Sequence, residues 1–385
     1  MIRKFSGRRF FPARESNSMS FSDYLAKQPT EKIFKNLNEI SEKDIENTLK
    51  KERIPALDLL ILISPKAKSY LNIMAKKSAA LTRQRFGNTM QIYVPLYLSS
   101  YCSNKCAYCG FNAALTYPRT KLSDEEILMQ GKLLSEKGFK HLLVLTGEAP
   151  HKAGIDYIEN ALKILKPYFP HIGLEIYPLE TEEYQRLIQA GADALSIYQE
   201  TYHQETYKKV HLQGKKADYA YRLDTPDRAA KANFYQISLG ALLGLYDWRY
   251  EAINLMFHLI YLKKNYWQVA YGLSFPRIQK MADNFQINNF VSDLEFIQMI
   301  LAFRLCFPEL ALNLSTREPQ KIRDQLVKLG ITAISAESKT SPLGYLEKED
   351  LEQFATSDQR TLAEIKQMLT TANLEPVLKD WGSFH

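Results

Sequence analysis

The chain has 385 residues, 50 Lys and Arg against 43 Asp and Glu, and 45% hydrophobic residues. That size suits one large α/β domain or such a domain with a modest extension, and no apolar run reaches the roughly 18 uncharged residues a membrane span needs. The net charge of +7 is mild, with Lys and Arg scattered and no basic stripe of interleaved aromatics, so neither nucleic acid nor membrane is expected as a partner.

Residues 1–18 are rich in Arg and Ser and poor in acids. A short basic arm on a cytoplasmic enzyme is the preferred reading, with an organelle transit peptide as the alternative. From Ser20 to Thr82 the pattern is helical: Ser41-Glu-Lys-Asp opens a capped helix, and Leu57–Ile63 forms another that breaks at Ser64-Pro65. After Phe86-Gly87-Asn88 the chain alternates. Strands are predicted at Ile92–Leu98, His141–Thr146, Ile172–Tyr177, Ala194–Tyr198, Tyr235–Leu239, Val269–Phe275, Ala311–Ser315 and Thr332–Ser335. Helices are predicted between most of them, at Asp124–Lys137, Asp156–Tyr168, Glu182–Ala190, Trp248–Lys264, Asp293–Arg304 and Gln320–Leu329. Eight strands alternating with helices is the count of a (β/α)₈ TIM-type barrel, with a doubly wound open sheet as runner-up. The expected division is an arm and helical extension over 1–85, the barrel over 86–345, and a segment closing it over 346–385.

The first strand runs directly into Cys102, Cys106 and Cys109, a C-x-x-x-C-x-x-C run that holds three of the four cysteines in the chain. Thiolates so close can converge on one soft inorganic centre, as in iron–sulfur clusters. A four-iron cube on three cysteines leaves one iron open to a substrate or cofactor, which implies chemistry rather than electron storage. A structural zinc site wants four Cys or His ligands, and the nearest histidine, His141, would have to come from another element. Disulfides are not expected with four cysteines and no secretory signal. Cys306, in an apolar helical stretch, reads as a core thiol.

In a barrel, function collects at the C-terminal ends of the strands. Those ends carry Thr146-Gly147-Glu148, Glu175 to Glu180, Tyr198 to His203, Ser274 to Arg277, Ser315 to Glu318 and Ser335 to Thr340. Each is explicable alone as a helix cap or surface charge. Together they read as a polar pocket facing the cysteines.

The cysteine run with Tyr108 before its third Cys, and Gly147-Glu148 after the second strand, resemble the radical S-adenosylmethionine (SAM) enzymes. More narrowly, Leu81-Thr-Arg-Gln-Arg-Phe-Gly-Asn88, Tyr198-Gln-Glu-Thr-Tyr-His203, Leu223-Asp-Thr-Pro-Asp-Arg228, Leu239-Gly-Ala-Leu-Leu-Gly-Leu245, Ser274-Phe-Pro-Arg277, Leu314-Ser-Thr-Arg-Glu318 and Lys379-Asp-Trp381 resemble the 2-iminoacetate synthase family, the tyrosine lyases of thiazole biosynthesis. The resemblance runs from about residue 20 to the end. It implies a barrel of radical SAM type, a [4Fe-4S] cluster on Cys102, Cys106 and Cys109, and SAM bound at the open iron. SAM would be cleaved to methionine and a 5′-deoxyadenosyl radical, which takes hydrogen from the amino group of L-tyrosine; Cα–Cβ cleavage then leads to 2-iminoacetate and p-cresol. A thiazole synthase and an electron donor such as flavodoxin or ferredoxin are the implied protein partners.

Charge and position suggest roles within that scheme. Glu148 is suited to accept from the SAM ammonium, Glu200 and Arg222 to make further SAM contacts, and Tyr108 to sit beside the cofactor. Arg317 is the choice for the tyrosine carboxylate because its planar fork binds carboxylate bidentately, with Ser315, Thr316 and Ser335 completing the hydrogen bonds and Arg277 either joining them or pairing with rim carboxylates. The phenol hydroxyl needs a partner if buried, among Tyr93, Tyr97, Glu337 and others.

Two positions depart from the family pattern: Ala149-Pro150 follows Glu148 where a His is expected, and Leu343 stands where a second Gly is common. A tryptophan lyase is an alternative within radical chemistry, as is the tyrosine lyase of hydrogenase maturation, which carries a cysteine-rich C-terminal cluster site; no cysteine follows Cys306 here. From a different class, a non-catalytic iron–sulfur or zinc-binding adaptor is the remaining reading.

Overall fold

A computed structural model describes residues 19–278, 285–347 and 350–378. The basic arm 1–18 and the Lys379-Asp-Trp381 motif lie outside the described residues. The helical preface is built from short capped pieces: α1 (Phe21–Ala26), α2 (Thr30–Asn36), α3 (Glu42–Leu49), α4 (Leu59–Leu62) and α5 (Leu71–Phe86). Ser41 and Asp44 form a reciprocal capping box at α3, and α5 stops at Gly87, whose φ of +65° favours glycine.

Eight parallel strands follow, β1 (Thr89–Ser99), β2 (His141–Thr146), β3 (His171–Glu175), β4 (Ala194–Glu200), β5 (Gln236–Ala241), β6 (Ala270–Ser274), β7 (Ala311–Leu314) and β8 (Ala333–Ser335). Each pairs with the next, and β1 pairs with both β2 and β8, which closes the barrel. The connecting helices are α6 (Asp124–Glu136), α7 (Ile155–Leu165), α8 (Thr181–Gln189), the short α9 (Gln204–Val210), α10 (Tyr219–Leu223) and α11 (Thr225–Lys231), then α12 (Trp248–Asn265), α13 (Asp293–Cys306) and α14 (Gln320–Leu326). A last helix, α15 (Leu362–Thr371), leads to β9 (Glu375–Val377), which pairs with β1 at Thr89–Gln91, before β2 begins to pair at Val94.

All eight predicted strands occur, with ends displaced by a few residues at most, and the open-sheet alternative is excluded by closure. The sequence reading passed over α9 to α11 because one or two helical turns give too little periodicity to stand out. It also passed over β9, whose three residues have no alternation to read. α12 and α13 are buried almost all round because both are covered twice, by the barrel and by the preface. Phe21 of α1 stacks on His258 of α12 at 3.6 Å, and the Gln298 amide of α13 donates to the carbonyls of Leu62 and Ser64, both at 2.9 Å. The Leu62 carbonyl ends α4 and has no donor from within the helix, while the Ser64 carbonyl also accepts from Ala67 N–H at 3.1 Å.

Candidate active site

The cysteine loop leaves β1 at the C-terminal mouth of the barrel and is folded by donors that the motif itself lacks. The Arg119 guanidinium donates to four carbonyls, those of Ser100, Phe111, Asn112 and Leu115, at 2.7–3.1 Å. On its other side the loop forms an antiparallel ribbon with the chain after α9: Lys105 N–H meets the Gln213 carbonyl at 3.0 Å, Leu212 N–H the Lys105 carbonyl at 3.0 Å, and Ala107 N–H the Val210 carbonyl at 2.9 Å. Gly147 passes so close that a Cβ there would stand 2.3 Å from the Tyr101 carbonyl oxygen. Only glycine allows that approach.

The three thiols line one chamber of about 600 Å³ together with Asn104, Glu148, Glu200, Lys216 and Arg222. Phe111 N–H points at Cys109 Sγ from 3.4 Å. Burial pushes the Cys106 thiol up to about 12, opposed by Lys216 and reinforced by the neighbouring thiols. A thiol so disfavoured as a thiolate ionises readily only against a bound cation, so soft donors around a shared chamber fit a thiolate-held iron–sulfur cluster. Among the described residues no three His, Cys, Asp or Glu side chains, the three thiols included, stand so that they could share a single metal ion. His141, the nearest histidine in sequence, starts β2 at the far end of the barrel, beside Gln91 and His171.

Charges in this chamber are matched in detail. The Glu148 carboxylate accepts from the Asn104 amide at 2.7 Å, and the Asn104 carbonyl oxygen accepts from Lys216 N–H at 3.0 Å. Burial alone would raise the Glu200 carboxyl, but Lys216 at 2.6 Å and Arg222 at 3.6 Å hold it below its ordinary value. Glu200 has a φ of +69°, a left-handed conformation rare outside glycine and Asn. Arg222 also donates to the Tyr198 carbonyl at 2.7 Å.

A second chamber of about 960 Å³ opens beside the first and is lined by Tyr93, Tyr97, Tyr108, Ser315, Thr316, Arg317, Ser335 and Phe354, among others. Cys109, Glu175, Tyr198, Glu200, Lys216 and Gln353 face both chambers. Burial pushes the Glu175 carboxyl up to about 7, with Glu200 adding to the rise and Arg317 opposing it. Ser335 Oγ accepts from Thr316 N–H at 3.1 Å, and Ser315 Oγ from Arg317 N–H at 3.4 Å. Tyr97 OH donates to the Gln353 side chain at 2.7 Å.

The expected site residues therefore divide between two chambers. Cys102, Cys106, Cys109, Glu148, Glu200 and Arg222 surround the first, and Ser315, Arg317 and Ser335 the second. Tyr108, expected beside the cofactor, lines the second chamber next to Cys109, which faces both. His211 Nδ1 lies 2.9 Å from the Tyr207 carbonyl, which can only accept, so Nδ1 carries the proton and Nε2 accepts from Tyr108 OH at 2.8 Å. Arg277 is committed to the rim, bonded to Glu318, Asp293 and the Val291 carbonyl. Of the phenol candidates, Tyr93 and Tyr97 line the second chamber. Glu337 does not: it pairs with Lys137 at 2.5 Å and accepts from Leu362 N–H at the start of α15.

Sequence reading missed Asn104, Arg119, Lys216, Gln353 and Phe354, and gave Glu175 no role. Glu175 had a signal, its place at the end of β3. Of the others, Asn104, Gln353 and Phe354 have partners tens to hundreds of residues away, and Arg119 and Lys216, with partners as near as 4 and 16 residues, sit where no helical or strand spacing marks them.

Residues 96–260 match the Radical SAM superfamily and 274–375 the Biotin and Thiamin Synthesis associated domain. The chain is 41% identical to 2-iminoacetate synthase of Escherichia coli K12 over 95% of its own length and 97% of that protein, and 40% identical to that of Salmonella typhimurium over the same shares. Among solved structures it resembles HydG, a maturase of the [FeFe]-hydrogenase, with 32% identity, a TM-score of 0.86, and coverage of 91% of this chain and 80% of that one.

Proposed function

Because this chain belongs to the 2-iminoacetate synthase family of radical SAM enzymes, we propose that its paired chambers hold cofactor and L-tyrosine side by side. The reaction is cleavage of the tyrosine Cα–Cβ bond to 2-iminoacetate and p-cresol, for the thiazole moiety of thiamine. When bound, a [4Fe-4S] cluster and SAM supply a 5′-deoxyadenosyl radical, leaving 5′-deoxyadenosine and methionine after hydrogen transfer. The observation that carries this reading is the continuity of the two chambers, which share six lining residues.

Cys102, Cys106 and Cys109 hold the cluster as thiolates. Glu148, aimed by the Asn104 amide, accepts from the SAM ammonium; Arg222 and Glu200 frame the remaining polar groups of SAM. Arg317 receives the tyrosine carboxylate, and Ser315 and Ser335 complete its hydrogen bonds. Tyr108, held by His211, stands beside the cofactor. The enclosed barrel mouth keeps water from a reactive radical and orients the amine for hydrogen transfer.

A one-electron donor such as flavodoxin or ferredoxin supplies two electrons per turnover, one for cleavage of SAM and one, with a proton, to complete p-cresol. The imine product hydrolyses readily, so direct hand-over to a thiazole synthase follows, in the cytoplasm. Anaerobic reconstitution with iron and sulfide, followed by SAM, reductant and tyrosine, is the test. Stoichiometric p-cresol and 5′-deoxyadenosine are expected. Consumption of tryptophan in place of tyrosine, or of neither, overturns the assignment.

A further inference from the structure

We propose that Phe354 and Gln353, on the segment that crosses the barrel mouth after β8, are substrate-positioning residues: Phe354 fixes the plane of Arg317, and Gln353 fixes Tyr97 in the wall of the same chamber. The inference rests on the reading that Arg317 receives the tyrosine carboxylate. Arg317 Cζ lies 3.3 Å from the centroid of the Phe354 ring. Stacking engages the face of a guanidinium and spares its edge, the part that meets a carboxylate in a fork. A flexible side chain thereby becomes an oriented one before substrate arrives, which lowers the entropy lost on binding.

The crossing segment is itself anchored at several points. Gln353 N–H donates to the Thr340 carbonyl at 2.8 Å, and Thr340 OH to the Phe354 carbonyl at 2.7 Å. Ser357 and Asp358 N–H both donate to the Thr316 carbonyl, at 2.8 and 3.1 Å, next to Arg317 itself. The Asp358 carboxylate is buried against Arg323 and Arg360. The Gln353 carbonyl accepts from Gly110 N–H at 3.1 Å, one residue beyond Cys109, and a Cβ on Gly110 would stand 2.3 Å from the Glu352 carbonyl oxygen. The roof of the second chamber is thus pinned both to the Arg317 loop and to the cysteine loop.

Phe354→Leu keeps an apolar side chain and removes the π face; Phe354→Tyr keeps both. With reconstituted holoenzyme, Phe354→Leu is expected to raise the tyrosine KM and Kd about tenfold, the scale of a partly desolvated cation–π contact. kcat should change little, and SAM affinity and iron content should not change. Phe354→Tyr should restore tyrosine affinity to within about twofold, since the stacking survives. Gln353→Leu should raise the tyrosine KM by a few fold, and Tyr97→Phe should match it, because both delete one neutral hydrogen bond. If Phe354→Leu leaves tyrosine KM unchanged while Arg317→Lys raises it, the positioning role fails and the Arg317 reading stands. If both leave it unchanged, the Arg317 reading fails first. Equal losses in the Leu and Tyr variants at position 354 would reduce Phe354 to a structural filler and overturn the proposal.

Discussion

The two chambers differ in where their defining groups come from. The thiol chamber takes its three cysteines from one loop, where they span eight residues and are held in shape by main-chain bonds to the ribbon after α9 and by Arg119, while Glu148, Glu175, Glu200 and Arg222 complete its walls from other segments. The second chamber draws its walls from Tyr93 and Tyr97 on β1, Glu175 on β3, Tyr198 on β4, Ser274 on β6, Arg317 after β7, Ser335 on β8 and Gln353 beyond it. A local motif on a fixed loop can hold the same cofactor while the dispersed walls vary, so under the proposed function the first chamber carries the chemistry and the second the choice of substrate. Damage to the first should be all-or-none, and damage to the second graded.

The most severe break is Cys106→Ala. Two thiolates cannot hold the three protein-ligated irons of such a cluster, so iron and sulfide counts and SAM cleavage should collapse while far-ultraviolet circular dichroism still reports a folded barrel. Retained iron and full activity in that variant would remove the distinction between the chambers at its root.

Arg317→Lys should give the graded response. A point ammonium replaces a planar fork, and losing one charge-assisted bond is worth about 1.5–3 kcal/mol, or roughly ten- to a hundredfold in tyrosine affinity. SAM binding should persist, with 5′-deoxyadenosine forming in excess of p-cresol because the amine is poorly aligned. Proportional loss of both products with tyrosine affinity unchanged would place Arg317 on the cofactor side.

The smallest expected effect concerns the root of the ribbon rather than either chamber. Glu251 of α12 is fully buried and accepts from Thr201 OH at 2.5 Å and Tyr202 N–H at 2.8 Å, just after β4. Burial pushes its carboxyl up to about 8, against about 4.3 in an unfolded chain. A raised folded value means that this contribution to stability is full below the unfolded value and is lost as pH rises towards 8. Glu251→Gln removes that titration. Thermal unfolding should therefore show the variant gaining on the parent between pH 5 and 8, by on the order of 1–3 kcal/mol, with tyrosine KM unaltered. A gap that stays constant with pH would mean that Glu251 does not titrate in this window.

How much could be read in advance follows the same division. The cysteines, Gly147-Glu148 and the strand ends were legible because each is a short pattern beside a strand whose alternation or apolar run marks it. Arg277 was left between two roles in the sequence; only Glu318, buried across the rim, decides for the ion pair. Glu337 looked like a rim residue because it follows β8, yet its φ of +49° turns it outward to Lys137 and the start of α15.

By itself the sequence determined the barrel, its eight strands and the thiol loop, since helical and strand periods and ligand spacing are local properties of a chain. Tertiary structure alone decided that Arg119 folds the thiol loop, that Lys216 pairs with Glu200 between the chambers, and that Gln353 and Phe354 roof the second one. The longest of those contacts, Tyr97 to Gln353, joins residues 256 apart through closure of the barrel, whereas Arg119 and Lys216 reach partners 8 and 16 residues away because their loops fold back on themselves.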